Sequence, residues 1–197
     1  MADFSPRRPE NRTRPAGALM DADADLLVVI DLQARLMPAI SGGEAAVADA
    51  GRLIDGARAL GIPVLATEQY PQGLGPTVDV IRDRLDPSEI VSKITFSSWN
   101  EHAFRDRVIA SGRRRLVVCG TEAHVCVLQT VLDAARAGFQ LAVVADAVAS
   151  RAPASKALAL DRMARHGVEI VSTEMVLFEW LGRAGDDRFK AVLPLIR

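Results

Sequence analysis

The sequence holds two cysteines, three histidines and one tyrosine in 197 residues, and its charges nearly cancel at a net of -1. Each shortage removes a class of protein. Two cysteines, Cys119 and Cys126, cannot build the multi-bridge framework that holds small secreted domains together, so the chain reads as a protein of a reducing, cytoplasmic compartment. The balanced charge lacks the basic footprint of a nucleic-acid or anionic-membrane binder and points to a small-molecule partner. Apolar runs such as Leu26 to Ile30 fall far short of the ~20 residues that cross a bilayer, and no apolar leader segment follows the N-terminus. There is no Gly-x-x-x-x-Gly-Lys loop and no Gly-x-Gly-x-x-Gly after the first apolar run, so nucleotide chemistry has no handle. His102, His124 and His166 lack any ligand spacing, which argues for neither metal nor cofactor. No repeat at solenoid or propeller period occurs.

What is present suits one globular core, with 49% hydrophobic and 25% charged residues. Residues 1–24 have no hydrophobic period. They mix Arg7, Arg8, Arg12 and Arg14 with Pro6, Pro9 and Pro15, and read as a flexible extension; Asp3 and Glu10 argue against a targeting peptide, which is acid-poor. Residues 25–197 read as the folded domain.

In that domain short apolar runs alternate with segments of helical period, the mark of βαβ units and a mainly parallel sheet with helices on its faces. Six runs predict six strands: Leu26 to Ile30, Pro63 to Ala66, Ile90 to Ser92, Leu116 to Cys119, Leu141 to Ala145 and Val168 to Val171. Helical period covers Glu44 to Leu60, Val78 to Leu85, Asn100 to Ala110, His124 to Ala137, Ala154 to His166, Glu174 to Leu181 and Arg188 to Leu195. Gly61, Gly112, Gly138 and Gly167 follow four of these segments, where helices end in a left-handed residue. The expected fold is therefore α/β, a three-layer sandwich around a six-stranded, mainly parallel sheet.

Ligands of such sheets bind beyond the carboxyl ends of the strands, so polar residues at strand exits come first. Asp31 ends the first strand, Lys93 ends the third, and Cys126 opens the helix after the fourth. Each alone admits a plain alternative: a turn cap, a solvated lysine, a small buried filler. The helix changes the balance for the cysteine. Its apolar stripe runs through Leu128, Val131, Leu132 and Ala135, and at 100° per residue Cys126 falls roughly opposite. A helix N-terminus and a nearby ammonium both favour thiolate, and lowering a thiol from ~8.5 to ~5.5 raises the thiolate fraction at pH 7 about 30-fold. An aspartate in the same pocket could carry the proton from thiol to leaving amine.

These residues resemble the isochorismatase-like cysteine hydrolases, in particular the branch known as isochorismatase domain-containing proteins. The likeness covers about residues 25–197 and rests on LLVVIDLQ ending at Asp31, SKITFSSW around Lys93 and CGTEAHVCVLQT holding Cys126, with TEQYPQGLGPT and DAVASR in support. It implies an Asp31, Lys93, Cys126 triad on a six-stranded sheet, a cis peptide at Thr121-Glu122, and the N–H groups of Glu122 and Cys126 as oxyanion donors. It also implies a homo-oligomer, dimer or tetramer. Two departures narrow the activity. Where the nicotinamidase branch carries an Asp-x-His metal motif this chain reads Thr67, Glu68, Gln69, Tyr70, and true isochorismatases lack the nucleophilic cysteine that Cys126 supplies. The resemblance therefore implies metal-independent hydrolysis of a C–N bond in a small amide or carbamoyl compound.

Candidate pocket residues are Gln33, Tyr70, Phe96, Trp99 and His124; Phe96 and Trp99 are equally readable as core of the following helix. His124, two residues before Cys126, diverges from it by 200° on a helix and is a poor base for it. Two other classes stay open: a non-catalytic scaffold of the same fold, and a redox sensor using Cys119 with Cys126. The apolar tail Val192 to Ile196 is readable either as an oligomer interface or as packing on its own domain.

Overall fold

The computed structural model describes residues 19–196, so residues 1–18 of the extension read over residues 1–24 lie outside the described residues. In chain order the elements are β1 (Asp25–Ile30), α1 (Gly43–Leu60), β2 (Val64–Gln69), the short α2 (Pro71–Leu74) and α3 (Asp79–Arg82), β3 (Ile90–Lys93), α4 (His102–Ala110) and β4 (Arg115–Thr121). A π turn (Ala123–Val127) then runs into α5 (Leu128–Arg136), followed by β5 (Gln140–Ala149), α6 (Pro153–Arg165), β6 (Glu169–Val171), α7 (Thr173–Leu181) and α8 (Asp187–Val192). The strands form one sheet in the order β3-β2-β1-β4-β5-β6, and every pairing is parallel.

The central strands are apolar on both faces because helices cover both. Every residue of β1 and of β4 is buried. The two-residue period of β1 divides the core: Leu27 and Val29 pack with Leu53, Ile54 and Ala57 of α1 and Leu177 and Trp180 of α7. Leu26, Val28 and Ile30 meet Phe104 and Val108 of α4, Val131 and Ala134 of α5, and Met163 of α6 on the other face. This is the three-layer sandwich expected from the sequence. The C-terminal tail packs on its own domain: Val192 belongs to the α1 core, with Leu195 and Ile196 against it.

Residues 19–24, at the end of the segment read as an extension, dock on the domain. Met20 is buried, its N–H donates to Glu179 Oε2 (2.7 Å), and Arg115 Nη1 donates to the Leu19 carbonyl (2.8 Å). Beneath them Asp25 is fully buried at the amino end of β1. Trp180 Nε1 donates to its Oδ2 at 2.8 Å, and burial raises its carboxyl above the usual carboxylate range. Trp180→Phe keeps an aromatic ring but removes the pyrrole half of the indole with this donor, so it is expected to cost at least about 1–3 kcal/mol, read as a lower urea midpoint with an unchanged slope.

The sheet order reverses direction of growth at β1 and β4, which opens a crevice beyond their carboxyl ends. Two backbone features shape it. Asp31 adopts a positive φ of 50°, and Gly120 has φ 117° where β4 crosses closest to β1. A Cβ on Gly120 would lie 2.0 Å from the Ile30 carbonyl oxygen. Beside it the β4–β5 register jumps: Val118 faces Val143, but Gly120 already faces Val148. The looped-out stretch carries Asp146, whose carboxylate accepts from the N–H and hydroxyl of Thr173 at the start of α7 (both 2.9 Å). No helix among the described residues is long and apolar enough to cross a membrane.

Candidate active site

Asp31 leaves β1 and Lys93 ends β3, so their backbones stand about 10 Å apart with β2 between them. The lysine side chain spans that gap. Its Nζ lies 2.7 Å from Asp31 Oδ2 and 2.7 Å from Gln69 Oε1, with the Thr95 and Phe96 carbonyls at 3.3 Å. Both charged side chains are completely buried. A buried charge is tolerated only when paired and hydrogen-bonded, and here the pairing is complete. Thr67 of β2 holds the acid twice: its hydroxyl donates to Asp31 Oδ1 (2.7 Å) and its carbonyl accepts the Asp31 N–H (3.1 Å). Thr121 adds a third tie, its hydroxyl donating to the Asp31 carbonyl at 2.7 Å.

Cys126 sits in the π turn and is 6% exposed. Its thiol feels the charges of both Asp31 and Lys93, so the three strand-exit residues lie at one end of the sheet within electrostatic range of each other. Burial first, and then the Asp31 charge, push the thiol up from 9.0 to about 12 against the opposing pull of Lys93. The thiolate expected from a helix N-terminus and an ammonium is thus overturned. Lys93 is already matched by Asp31, and desolvation outweighs what is left of its field. The expected placement opposite the apolar stripe also changes. Val127 N–H donates to the Glu122 carbonyl in an i to i+5 pattern, which rotates the π turn against α5 and brings Cys126 into the cluster of Val127, Leu128 and Val131.

The Thr121-Glu122 peptide is cis, as the resemblance implies. The Glu122 carboxylate is buried against Arg151, whose Nη2 and Nε donate at 2.7 and 3.0 Å and whose backbone N–H donates at 3.0 Å. Burial acts to raise this carboxyl, but the Arg151 hydrogen bonds outweigh it and hold it below its ordinary value. His124 does not face the sulfur as a base; its Nδ1 lies 3.0 Å from Ser150 Oγ.

The five pocket candidates divide. Tyr70 and Phe96 are about half exposed on the segments that leave β2 and β3, and Ile94 beside Lys93 is more exposed still. His124 is the second residue of the π turn and is half-buried. Gln33 is fully buried and its amide is taken up by the backbone: it donates to the Gln69 and Gly75 carbonyls (3.0 and 2.7 Å) and accepts the Gln69 N–H (2.8 Å). It shapes the 69–75 loop and leaves no polar atom for a ligand. Trp99 turns away from the crevice, packing edge-on against Phe139 with centroids 5.2 Å apart, because Ser98 and Asn100 fasten its turn to Thr130 and Asp133 of α5.

Glu68 is likewise engaged, accepting from the N–H and hydroxyl of Thr77 (2.7 and 2.8 Å). Among the described residues no three His, Cys, Asp or Glu side chains come together as a ligand set. Cys119 is buried on the α1 side of the sheet and Cys126 on the α5 side, so the sheet separates the two sulfurs.

Thr67, Gln69 and Arg151 are the contributors missed from the sequence. They act as hydrogen-bond partners of residues 24 to 36 positions away, and no local signal marks such a role.

Comparison with known proteins gives the same fold and family. The family model described as Isochorismatase domain matches residues 25–175. Isochorismatase domain-containing protein 1 of Salmo salar is 38% identical over 167 residues, which cover 85% of this chain and 59% of the relative. The chain thus spans less than two thirds of that relative's length. A MAR1 ribonuclease structure from Caenorhabditis elegans is 33% identical, with a TM-score of 0.85 and coverage of 91% of this chain and 92% of that one. The YcaC gene product of Escherichia coli, described as an octameric hydrolase of unknown specificity, has a TM-score of 0.86 at 23% identity and covers 93% of this chain and 91% of its own.

Proposed function

The chain belongs to the isochorismatase family, and we propose that within it the protein is a cysteine hydrolase that cleaves a C–N bond of a small amide or carbamoyl compound through a thioester on Cys126. The observation that carries this reading is a buried Asp31 carboxylate, held by Lys93 Nζ and the Thr67 hydroxyl at 2.7 Å each, whose charge acts on the Cys126 thiol.

A thiol pushed up by burial and by the Asp31 charge ionises poorly on its own near neutral pH. Proton loss is therefore coupled to attack. As sulfur bonds to the substrate carbonyl carbon, Asp31 takes the thiol proton and the carbonyl electrons move onto oxygen, opposite the N–H groups of Glu122 and Cys126. Collapse of this intermediate expels the nitrogen, which receives the proton from Asp31 and leaves as an amine or ammonia. Water then adds to the thioester with Asp31 as base, releasing the carboxylic or carbamic acid and restoring the thiol. Lys93, 2.7 Å from Asp31 Oδ2, holds the carboxylate in position through these steps.

Separation of Cys119 from Cys126 by the sheet counts against a disulfide sensor, and a completely paired buried Asp–Lys couple beside a thiol has no purpose in an inert scaffold. The exposed apolar side chains of Tyr70, Ile94 and Phe96, on the segments that follow β2 and β3, favour an apolar substituent on the substrate. Assembly into a homo-oligomer is part of the same reading, in line with the octamer described for the Escherichia coli YcaC product.

A screen of small amides and carbamoyl compounds, with RNA included because of the named ribonuclease, tests the proposal. Wild type is expected to release amine from at least one amide or carbamoyl compound, and Cys126→Ala to lose that activity by about 10³-fold or more. RNA cleavage is not expected at a net charge of -1. Full activity of Cys126→Ala would refute the assignment.

A further inference from the structure

Glu122 joins the nucleophile's turn to the end of β5, and every polar group it owns but one is tied down. Its carbonyl accepts the N–H groups of Val125 (3.0 Å) and Val127 (3.2 Å), which fixes it to the turn that carries Cys126. Its carboxylate accepts from the Arg151 backbone N–H and from two guanidinium nitrogens. Arg151 in turn is held in place just after β5, whose last residues pair with β4 as Gly120 with Val148 and Thr121 with Ala149. Ser150 beside it accepts the Ser41 N–H at 3.1 Å. The Glu122 N–H alone donates to no protein acceptor among the described residues.

We propose that Arg151 is a positioning residue: by clamping the Glu122 carboxylate it holds the Glu122 N–H in line with the oxyanion that forms when Cys126 attacks a carbonyl. This rests on the cysteine-hydrolase reading above and extends it to a residue outside the triad. The arginine side chain is 64% exposed whereas that of Glu122 is 6% exposed, so the clamp closes from the solvent side over a buried carboxylate. An ion pair open to solvent on one side contributes modestly to stability, and removing its arginine leaves the buried carboxylate with the Arg151 backbone N–H alone. Misplacing an oxyanion donor is a far larger effect, about 10²-fold or more for a donor lost outright. Loss of Arg151 is thus expected to separate the two.

Two thiol probes read the difference. Methyl methanethiosulfonate has no carbonyl; the sulfur displaces methanesulfinate and makes no oxyanion. Propionaldehyde adds the thiol across its carbonyl and forms a tetrahedral hemithioacetal whose oxygen occupies the donor site. Aldehyde binding is measured as protection of Cys126 from the thiosulfonate, with modification located by peptide mass spectrometry. Arg151→Ala is expected to weaken aldehyde protection by about tenfold or more and to change the unprotected thiosulfonate rate by less than about twofold, while the thermal midpoint falls but stays above the assay temperature. Arg151→Lys, which restores one charged donor, is expected to recover part of the loss. Glu122→Gln, a second route to the same defect, is expected to follow Arg151→Ala. Aldehyde protection equal to wild type in Arg151→Ala and Glu122→Gln overturns the proposal, as does a parallel fall in both probe reactions. If wild-type Cys126 reacts with neither probe, the cysteine-hydrolase reading itself fails, an outcome distinct from the first.

Discussion

Asp31→Asn is expected to abolish turnover while making Cys126 more reactive. Hydrolysis should fall by about 10²–10⁴-fold, the usual contribution of a positioned proton carrier. Alkylation by iodoacetamide should accelerate in the same variant. The Asp31 charge and its hydrogen bond both push the thiol up, whereas Lys93 pulls it down. Removing the carboxylate leaves the ammonium without its anion, and a Cys126 thiolate is then the partner that completes the buried pair. The sign is testable by pH: in wild type the alkylation rate should still be rising with pH at the ordinary thiol value of 9.0, and in Asp31→Asn its midpoint should lie lower. Slower alkylation and slower hydrolysis together would mean that Asp31 supports the fold instead of setting the proton balance.

The second large effect is on stability. Gly120→Ala would place a methyl group 2.0 Å from the Ile30 carbonyl oxygen and 2.6 Å from the Ile30 nitrogen, both backbone atoms. Neither strand can retreat, because Gly120 is paired with Ile30 of β1 and with Val148 of β5. The expected cost exceeds about 4 kcal/mol, the range of a severe core disruption. Gly138→Ala provides the control: it too has a positive φ, 96°, but its Cβ would meet nothing within 4 Å. It should cost about 1–2 kcal/mol, the penalty of the backbone conformation alone. Urea midpoints of the two variants measure the difference. Equal midpoints would remove the close β1–β4 approach as the feature that brings Thr121 to the Asp31 carbonyl.

The strands were legible because strands covered on both faces are written as unbroken apolar runs, as in Leu26 to Ile30 and Leu116 to Cys119. Where the run is interrupted the reading stopped short. It ended β5 at Ala145, ahead of Asp146, yet the strand continues to Ala149 because the register jump lifts Asp146 out to Thr173 and resumes pairing at Val148. The strand-exit trio was legible from its position in the βαβ pattern together with the motifs around it. Trp99 was not, since a large aromatic beside a strand exit suits a pocket and a core equally, and only its contact with Phe139 decides. Gln33 was misread for a related reason: its neighbour Asp31 faces the crevice, but its own amide closes on the Gln69 backbone. The protonation state of Cys126 lay furthest from view. Spacing places a sulfur near a helix start and near charges, but the size of the desolvation that dominates it belongs to the packed structure alone.

The central claim is that Cys126 is the atom on which the substrate is cleaved. Its most direct test is rapid-quench peptide mass spectrometry of wild type during turnover of the best amide or carbamoyl compound from the screen, before and after hydroxylamine. The account predicts an acyl or carbamoyl group on the peptide containing Cys126, removed by hydroxylamine and absent from Cys126→Ala. Steady turnover with Cys126 unmodified at every quench time, or with the group on another residue, would contradict it.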